Sequence, residues 1–197
     1  QHVLDVLVNR YGVDAIRAKV TRRLSGLRVA CYYGCLLTRP PEVVAFDDAE
    51  HPHSMDDLMA ASGAEPVDWP LKTECCGASL SMTKCDVVAR LGHRLLSMAR
   101  QAGAECIAVA CPLCQMNLDL RQSDAAKAGA GKGDSPHLPE RPDGCFAQMG
   151  TVPFSGSGAI PPTPVLYVTQ LLGLALGLSE DELGIKALTV GAGSLLG

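Results

Sequence analysis

The sequence is short of the features that announce the commoner functions. No apolar run approaches the roughly 20 uncharged residues of a membrane span. The best stretch, Val165 to Leu178, contains Thr169, Gln170 and two glycines and stops at Ser179. Positive charge is scarce: 17 Lys and Arg against 21 Asp and Glu give a net charge of −4. That balance argues against a nucleic-acid binder living on phosphate contacts. There is no G-x-G-x-x-G after a strand and no P-loop; Gly156-Ser157-Gly158 follows no strand pattern. The five histidines, His2, His51, His53, His93 and His137, show no metal-ligand spacing. No signal peptide and no internal repeat are visible. The chain opens at Gln1, so an upstream segment is compatible with the sequence.

What is present is a chain of 197 residues with 47% apolar and 19% charged residues, enough to bury a real core. It also carries nine cysteines. An odd count in a chain this size, with a large apolar core available, favours metal or redox chemistry in a reducing, cytoplasmic setting over structural bridges.

Hydrophobic periodicity orders the chain. Val3 to Leu24 has helical spacing with a break near Tyr11-Gly12. Leu27 to Cys31 reads as a buried strand, and Val67 to Glu74 as a second extended stretch. Met55 to Ala61 reads as a helix capped by Ser54 and closed by Gly63. Lys84 to Ala102 reads as the longest helix. Its apolar face is Val87, Leu91, Leu95 and Met98, and its polar face Arg90, Arg94, Ser97 and Gln101, with His93 on the solvent side. Cys106 to Ala110 is a strand pattern. Pro112 suits the first turn of a helix running to about Gln122. Val165 to Val168 is a last strand and Thr169 to Leu178 a helix. Ser179 with Glu182 forms a capping box for a final short helix.

Strands alternating with helices indicate an α/β domain with a mainly parallel sheet flanked by helices. Ser123 to Thr163 breaks the pattern: these 41 residues hold seven glycines and six prolines. They read as a flexible Gly/Pro-rich insertion. Residues 1–122 and 164–197 then form one domain around it.

The cysteines gather where such a sheet works. Cys35 follows the first strand, Cys75 and Cys76 the second, and Cys111 and Cys114 the third. All five sit past C-terminal strand ends, where open α/β sheets build their ligand crevice. Cys31, Cys85, Cys106 and Cys145 read as small packing hydrophobes, although Cys31 and Cys35 have a spacing that also suits metal. Zinc at Cys35, Cys75, Cys111 and Cys114 is one reading, but neighbouring side chains diverge, so Cys75-Cys76 fits one tetrahedral ion poorly. An iron–sulfur cluster suits adjacent thiolates better, because they can reach different irons. A thioredoxin-like reading rests on Cys111-Pro112-Leu113-Cys114 between strand and helix, and leaves Cys35, Cys75 and Cys76 without a role. Arg39 is a candidate to balance a negative cluster or an anionic substrate, against the blander reading of a solvated loop arginine. Trp69 reads as a packing residue that stands close before the Cys-Cys pair.

Cys35, thirty-nine residues, Cys75-Cys76-Gly77, thirty-three residues and Cys111-x-x-Cys114 together resemble the cysteine-rich CCG domain. More narrowly, the pattern is similar to the C-terminal half of the B subunit of heterodisulfide reductase. The likeness is carried by Tyr32-Tyr33-Gly34-Cys35, Glu74-Cys75-Cys76-Gly77-Ala78 and Cys111 to Leu118, with His2 to Leu7 and Leu166 to Leu174 in support. It implies a noncubane [4Fe-4S] cluster bound by Cys35, Cys75, Cys76, Cys111 and Cys114. It implies electron transfer to a disulfide or thiol substrate, and an iron–sulfur electron donor like the A or C subunit of that enzyme. Members carry two such domains and this chain shows one cysteine set, so activity is expected to need the missing half and the partner subunits. CCG domains also resemble parts of glycolate and lactate oxidation systems and of some succinate:quinone reductases, which is the alternative setting.

Overall fold

The computed structural model describes residues 1–45, 47–130 and 162–193. Four strands, β1 (Arg28–Tyr32), β2 (Glu65–Pro66), β3 (Cys106–Val109) and β4 (Val165–Tyr167), lie in the order β2-β1-β3-β4. Every pairing is parallel. The helices are α1 (Val3–Asp5), α2 (Val13–Arg17), α3 (Pro41–Val44), α4 (Ser54–Ala61), α5 (Cys85–Gln101), α6 (Pro112–Leu120), α7 (Gln122–Ala130) and α8 (Val168–Ala175). A π-helical stretch, Val6–Gly12, joins α1 to α2, and the chain breaks at Gly12 with φ +96°. The fold is the α/β class expected, with a parallel sheet flanked by helices.

β3 is buried along its whole length, as an inner parallel strand covered on both faces must be. Ile107 and Val109 are fully buried, each contributing about 1.5–3 kcal/mol relative to an exposed side chain. β1 leads to β2 on one side while β3 leads to β4 on the other, so the connections diverge between β1 and β3. At such a switch point the loops leaving the strand ends part and leave a crevice. Cys35 and Cys111 both lie just beyond that point.

Several expectations are corrected. The second extended stretch is not Val67 to Glu74: β2 ends at Pro66, and residues 70–73 form a turn. Val67 N–H still reaches Val29 O at 2.9 Å. One rung on, the Trp69 indole N–H takes the Cys31 carbonyl at 3.0 Å, which leaves that acceptor occupied by a side chain and the ladder stops. Ser54 is the first residue of α4 rather than its cap. Asp47 accepts the N–H groups of His53 and Ser54, and the Tyr33 hydroxyl accepts that of Met55 at 2.8 Å, so remote side chains satisfy the helix start. Ser179 and Glu182 exchange the capping-box hydrogen bonds. No α-helix follows: the segment turns at Gly184, φ +65°, into a 3-10 turn, Ile185–Ala187.

The largest difference concerns the expected insertion. Its first residues belong to α7, which continues to Ala130 and packs on α5. A Cβ on Gly92 would meet the Ala125 Cβ at 3.8 Å, and Ala125 is buried. His93 is therefore buried rather than solvated: its Nδ1 lies 3.0 Å from Ala125 O and its Nε2 3.4 Å from the Ser97 hydroxyl. Counting α7 as insertion gives to water the face of α5 that it covers. Gln122 binds both backbone groups of Thr163, at 2.6 and 2.8 Å, so the chain returns to the sheet beside the start of α7. The rest of the expected insertion, 131–161, with Cys145, His137 and Gly156-Ser157-Gly158, lies outside the described residues.

Candidate functional site

Three segments bring five cysteines to the crevice. The first leaves β1 as Tyr33-Gly34-Cys35. Gly34 has φ +65°, which a side-chain-bearing residue adopts only under strain. A Cβ there would stand 3.3 Å from the Tyr32 Oη and 3.4 Å from the Cys114 Sγ. The N–H groups of Tyr33 and Gly34 both donate to Lys72 O, at 2.9 and 3.0 Å, which ties the first segment to the second.

The second segment carries Cys75-Cys76-Gly77. Gly77 has φ +77°, and a Cβ there would lie 2.9 Å from Leu91 Cδ1 on α5. Its N–H donates to Cys75 Sγ at 3.3 Å. Asn117, buried on α6, donates to Cys76 O at 2.9 Å and so links the second segment to the third. The third opens α6, with Cys111 as N-cap, Pro112 at the first turn as expected, and Cys114 one turn in.

The sulfurs meet in pairs. Cys35 and Cys75 Sγ are 3.7 Å apart, and Cys76 and Cys114 Sγ are 3.5 Å apart. Cys111 stands beside Cys114, within hydrogen-bond reach. Cys76, Cys111 and Cys114 are buried, Cys35 is partly exposed and Cys75 is exposed. The site thus runs from a buried floor to an open rim. Among the described residues no three His, Cys, Asp or Glu side chains form a shell for one metal ion.

Crowding couples the thiols. The hydrogen bond with Cys114, helped by the Ala78 N–H and the Asn117 amide, holds the Cys76 thiol down at about 6 despite its burial. The same contact, with burial and the neighbouring Cys111, pushes Cys114 well up. Burial and the Cys75 neighbour raise Cys35. The crowding thus favours the thiolate at Cys76 and disfavours it at Cys35 and Cys114.

The other candidates go elsewhere. Cys31 and Cys106 are fully buried within β1 and β3, and burial raises both thiols, Cys106 to about 12. Cys85 is buried at the start of α5. Arg39 is held by Glu50 at 2.7 Å and by the carbonyls of Thr38 and Ala49, and stays partly exposed, which is the loop-arginine rather than the charge-balancing reading. Trp69 is buried against Tyr32, ring centroids 6.0 Å apart. Sequence reasoning gives no role to Tyr32, Asn117 or Tyr167. Tyr32 is buried and donates to Glu74 O at 2.6 Å, and the half-buried Tyr167 donates to Ala110 O. Burial, then the surrounding cysteines, raises both phenols. The sequence signal of Tyr32 and Asn117 is a place next to cysteine motifs, and Tyr167 has no such signal.

The donor set fits an iron–sulfur cluster. Five thiols from three segments reach the crevice, four of them in two sulfur pairs, and adjacent thiols such as Cys75 and Cys76 suit different irons.

A parallel α/β sheet with cysteines gathered at its switch point defines a cysteine-rich redox-type domain. Residues 29–119 match the family described as CCG, cysteine-rich domain. The chain thus carries a CCG cysteine-rich domain match and is homologous, over most of its length, to the B subunit of heterodisulfide reductase. It is 32% identical over 189 residues to the B subunit of the ferredoxin:CoB-CoM heterodisulfide reductase of Methanosarcina mazei, covering 94% of this chain and 53% of that one. It is 31% identical over 174 residues to the 8-methylmenaquinol:fumarate reductase membrane anchor subunit of Wolinella succinogenes, covering 88% and 51%. A protein of Archaeoglobus profundus, described as like the B subunit of heterodisulfide reductase, is 28% identical over 186 residues, covering 92% and 53%. The chain spans about half the length of these curated relatives. No helix among the described residues is long and apolar enough to cross a membrane.

Proposed function

We propose that Cys35, Cys75, Cys76, Cys111 and Cys114 hold a noncubane [4Fe-4S] cluster, and that the chain is the electron-transferring part of an oxidoreductase whose substrate is a disulfide. The observation that carries this reading is the meeting of three chain segments in two sulfur pairs, Cys35 with Cys75 and Cys76 with Cys114. When bound, such a cluster supplies one-electron transfer at a potential set by its surroundings. The protein's own part is to hold the thiolates, shield the floor at Cys76 and Cys114, and leave the rim at Cys75 open to a substrate. Reducing a disulfide takes two electrons, so the reading includes an iron–sulfur donor like the A or C subunit of heterodisulfide reductase. It places the protein in the cytoplasm, working with a second CCG half. In this reading 1–130, α7 included, and 164–197 belong to one iron–sulfur domain.

A second reading is favoured by the similarity to the fumarate reductase membrane anchor: electron transfer in a quinone-linked organic-acid system.

Anaerobic purification tests the cluster. A brown protein with iron and acid-labile sulfide supports it, and a colourless protein with a single zinc ion rejects it. Reoxidation of the reduced cluster by a disulfide but not by a quinone separates the first setting from the second.

A further inference from the structure

Two tyrosine hydroxyls bind the carbonyls that immediately precede site cysteines. Tyr32, the last residue of β1, donates to Glu74 O at 2.6 Å, and Glu74 precedes Cys75. Tyr167, the last residue of β4, donates to Ala110 O, and Ala110 precedes Cys111. Neither tyrosine belongs to the segment it grips, so each bond crosses between elements. A residue's carbonyl and the next residue's N–H lie in one planar peptide group. Fixing the carbonyl's direction therefore fixes the backbone from which the cysteine side chain leaves.

The bland alternative is that buried carbonyls merely find donors wherever they can. The location argues otherwise. A Cβ on Gly34 would stand 3.3 Å from the Tyr32 hydroxyl and 3.4 Å from Cys114 Sγ, so hydroxyl and thiol line the same space. The Ala110 carbonyl is gripped a second time, by His2 Nε2 at 3.1 Å. His2 Nδ1 already accepts the Leu4 N–H, which assigns the ring proton to Nε2.

We infer that Tyr32 and Tyr167 are positioning residues of the thiol site, Tyr32 orienting the Glu74–Cys75 peptide and Tyr167 the Ala110–Cys111 peptide that opens the Cys111–Cys114 turn. Their purpose rests on the cluster reading above; the geometry they impose does not.

Tyr32→Phe and Tyr167→Phe remove only the hydroxyls. In the full-length, cluster-free chain with reduced thiols, iodoacetamide labelling of each cysteine is followed by mass spectrometry. Tyr32→Phe is expected to speed labelling of Cys75 about fivefold, the scale of one net hydrogen bond, and to leave Cys111 unchanged. Tyr167→Phe is expected to do the reverse. An equal increase at both thiols, or none at either, overturns the inference. If Tyr32→Phe fails to fold, Tyr167→Phe decides alone, since its ring is only half-buried. In the reconstituted protein each variant is expected to keep its iron while altering the cluster's paramagnetic resonance spectrum; an unaltered spectrum overturns the inference. If the unsubstituted chain takes up no iron and sulfide, the cluster reading falls, and the labelling pattern still decides the tyrosines.

Discussion

The Tyr33 hydroxyl donates to the Asp56 carboxylate at 2.6 Å, and that carboxylate also holds the Lys72 ammonium at 2.8 Å. Lys72 returns the connection through its backbone, accepting the Tyr33 N–H at 2.9 Å. The ring ties α4 to the segments that carry Cys35 and Cys75.

Breaking that ring is expected to be costly. Asp56→Asn leaves Lys72, whose side chain is 18% exposed, with only the exposed Asp68 carboxylate at 3.9 Å. A loss of about 2–4 kcal/mol in urea denaturation is expected, toward the lower end of buried-pair effects because some solvent reaches the pair. Adding Lys72→Met to Asp56→Asn is expected to recover part of it. A double variant as unstable as the sum of the two would show that the ammonium and carboxylate are not coupled.

On the proposed cluster reading, Cys76→Ala is expected to lose most iron and acid-labile sulfide per chain. Cys106→Ala, which empties a buried position within β3, is expected to lose stability but keep its iron. Equal iron loss in the two would mean that thiols inside the strands, not those beyond their ends, carry the group.

Gly77→Ala places a Cβ 2.9 Å from Leu91 Cδ1 at a backbone φ of +77°. The left-handed conformation alone costs about 1–2 kcal/mol, and the contact adds to it. Thermal denaturation is expected to show the loss, and trimming Leu91 to alanine is expected not to restore the parent stability, because the backbone strain stays.

Ala125→Asp puts a charge between α7 and α5 at a buried position that faces Gly92. A destabilisation of about 2 kcal/mol or more is expected. A surface-like effect of a few tenths would mean that α7 does not pack on α5 in solution.

His53 is held above its ordinary 6.5 by its hydrogen bond to Asp57 and then by the charge of Asp47. Its imidazolium is favoured in the fold, so the stabilisation is present below the unfolded value and disappears as pH rises through the folded one. Proton NMR titration is expected to find His53 raised, and to find it lowered toward 6.5 in Asp57→Asn. An unchanged midpoint in that variant would leave Asp47 as the cause.

The strands Arg28–Tyr32 and Cys106–Val109 are legible because an inner parallel strand must be a largely apolar run, and the edge strand Val165–Tyr167 by its own short apolar run. The grouping of Cys35, Cys75, Cys76, Cys111 and Cys114 is legible because such strands can only empty onto one edge. What the sequence conceals depends on contacts between distant residues. α7 has too little apolar periodicity to declare itself, and its packing on α5 decides the burial of His93. β2 ends where the Trp69 indole captures a carbonyl, an event that no local propensity records. Tyr32 and Tyr167 show their partners only when Glu74 and Ala110 are brought beside them.

Gln122 meets Thr163 through both the oxygen and the nitrogen of its amide. A side-chain amide has the same donor and acceptor as a peptide, so Gln122 counterfeits one rung of a ladder beside the approach to β4. Identity at that position is therefore governed by a two-way exchange rather than by polarity. Glutamate is isosteric but only accepts, and would set its charge against the Thr163 carbonyl. Asparagine keeps both groups on a stem one methylene too short. The fold thus spells part of its sheet in side-chain atoms, and a substitution scored as conservative by chemistry would be a misprint there.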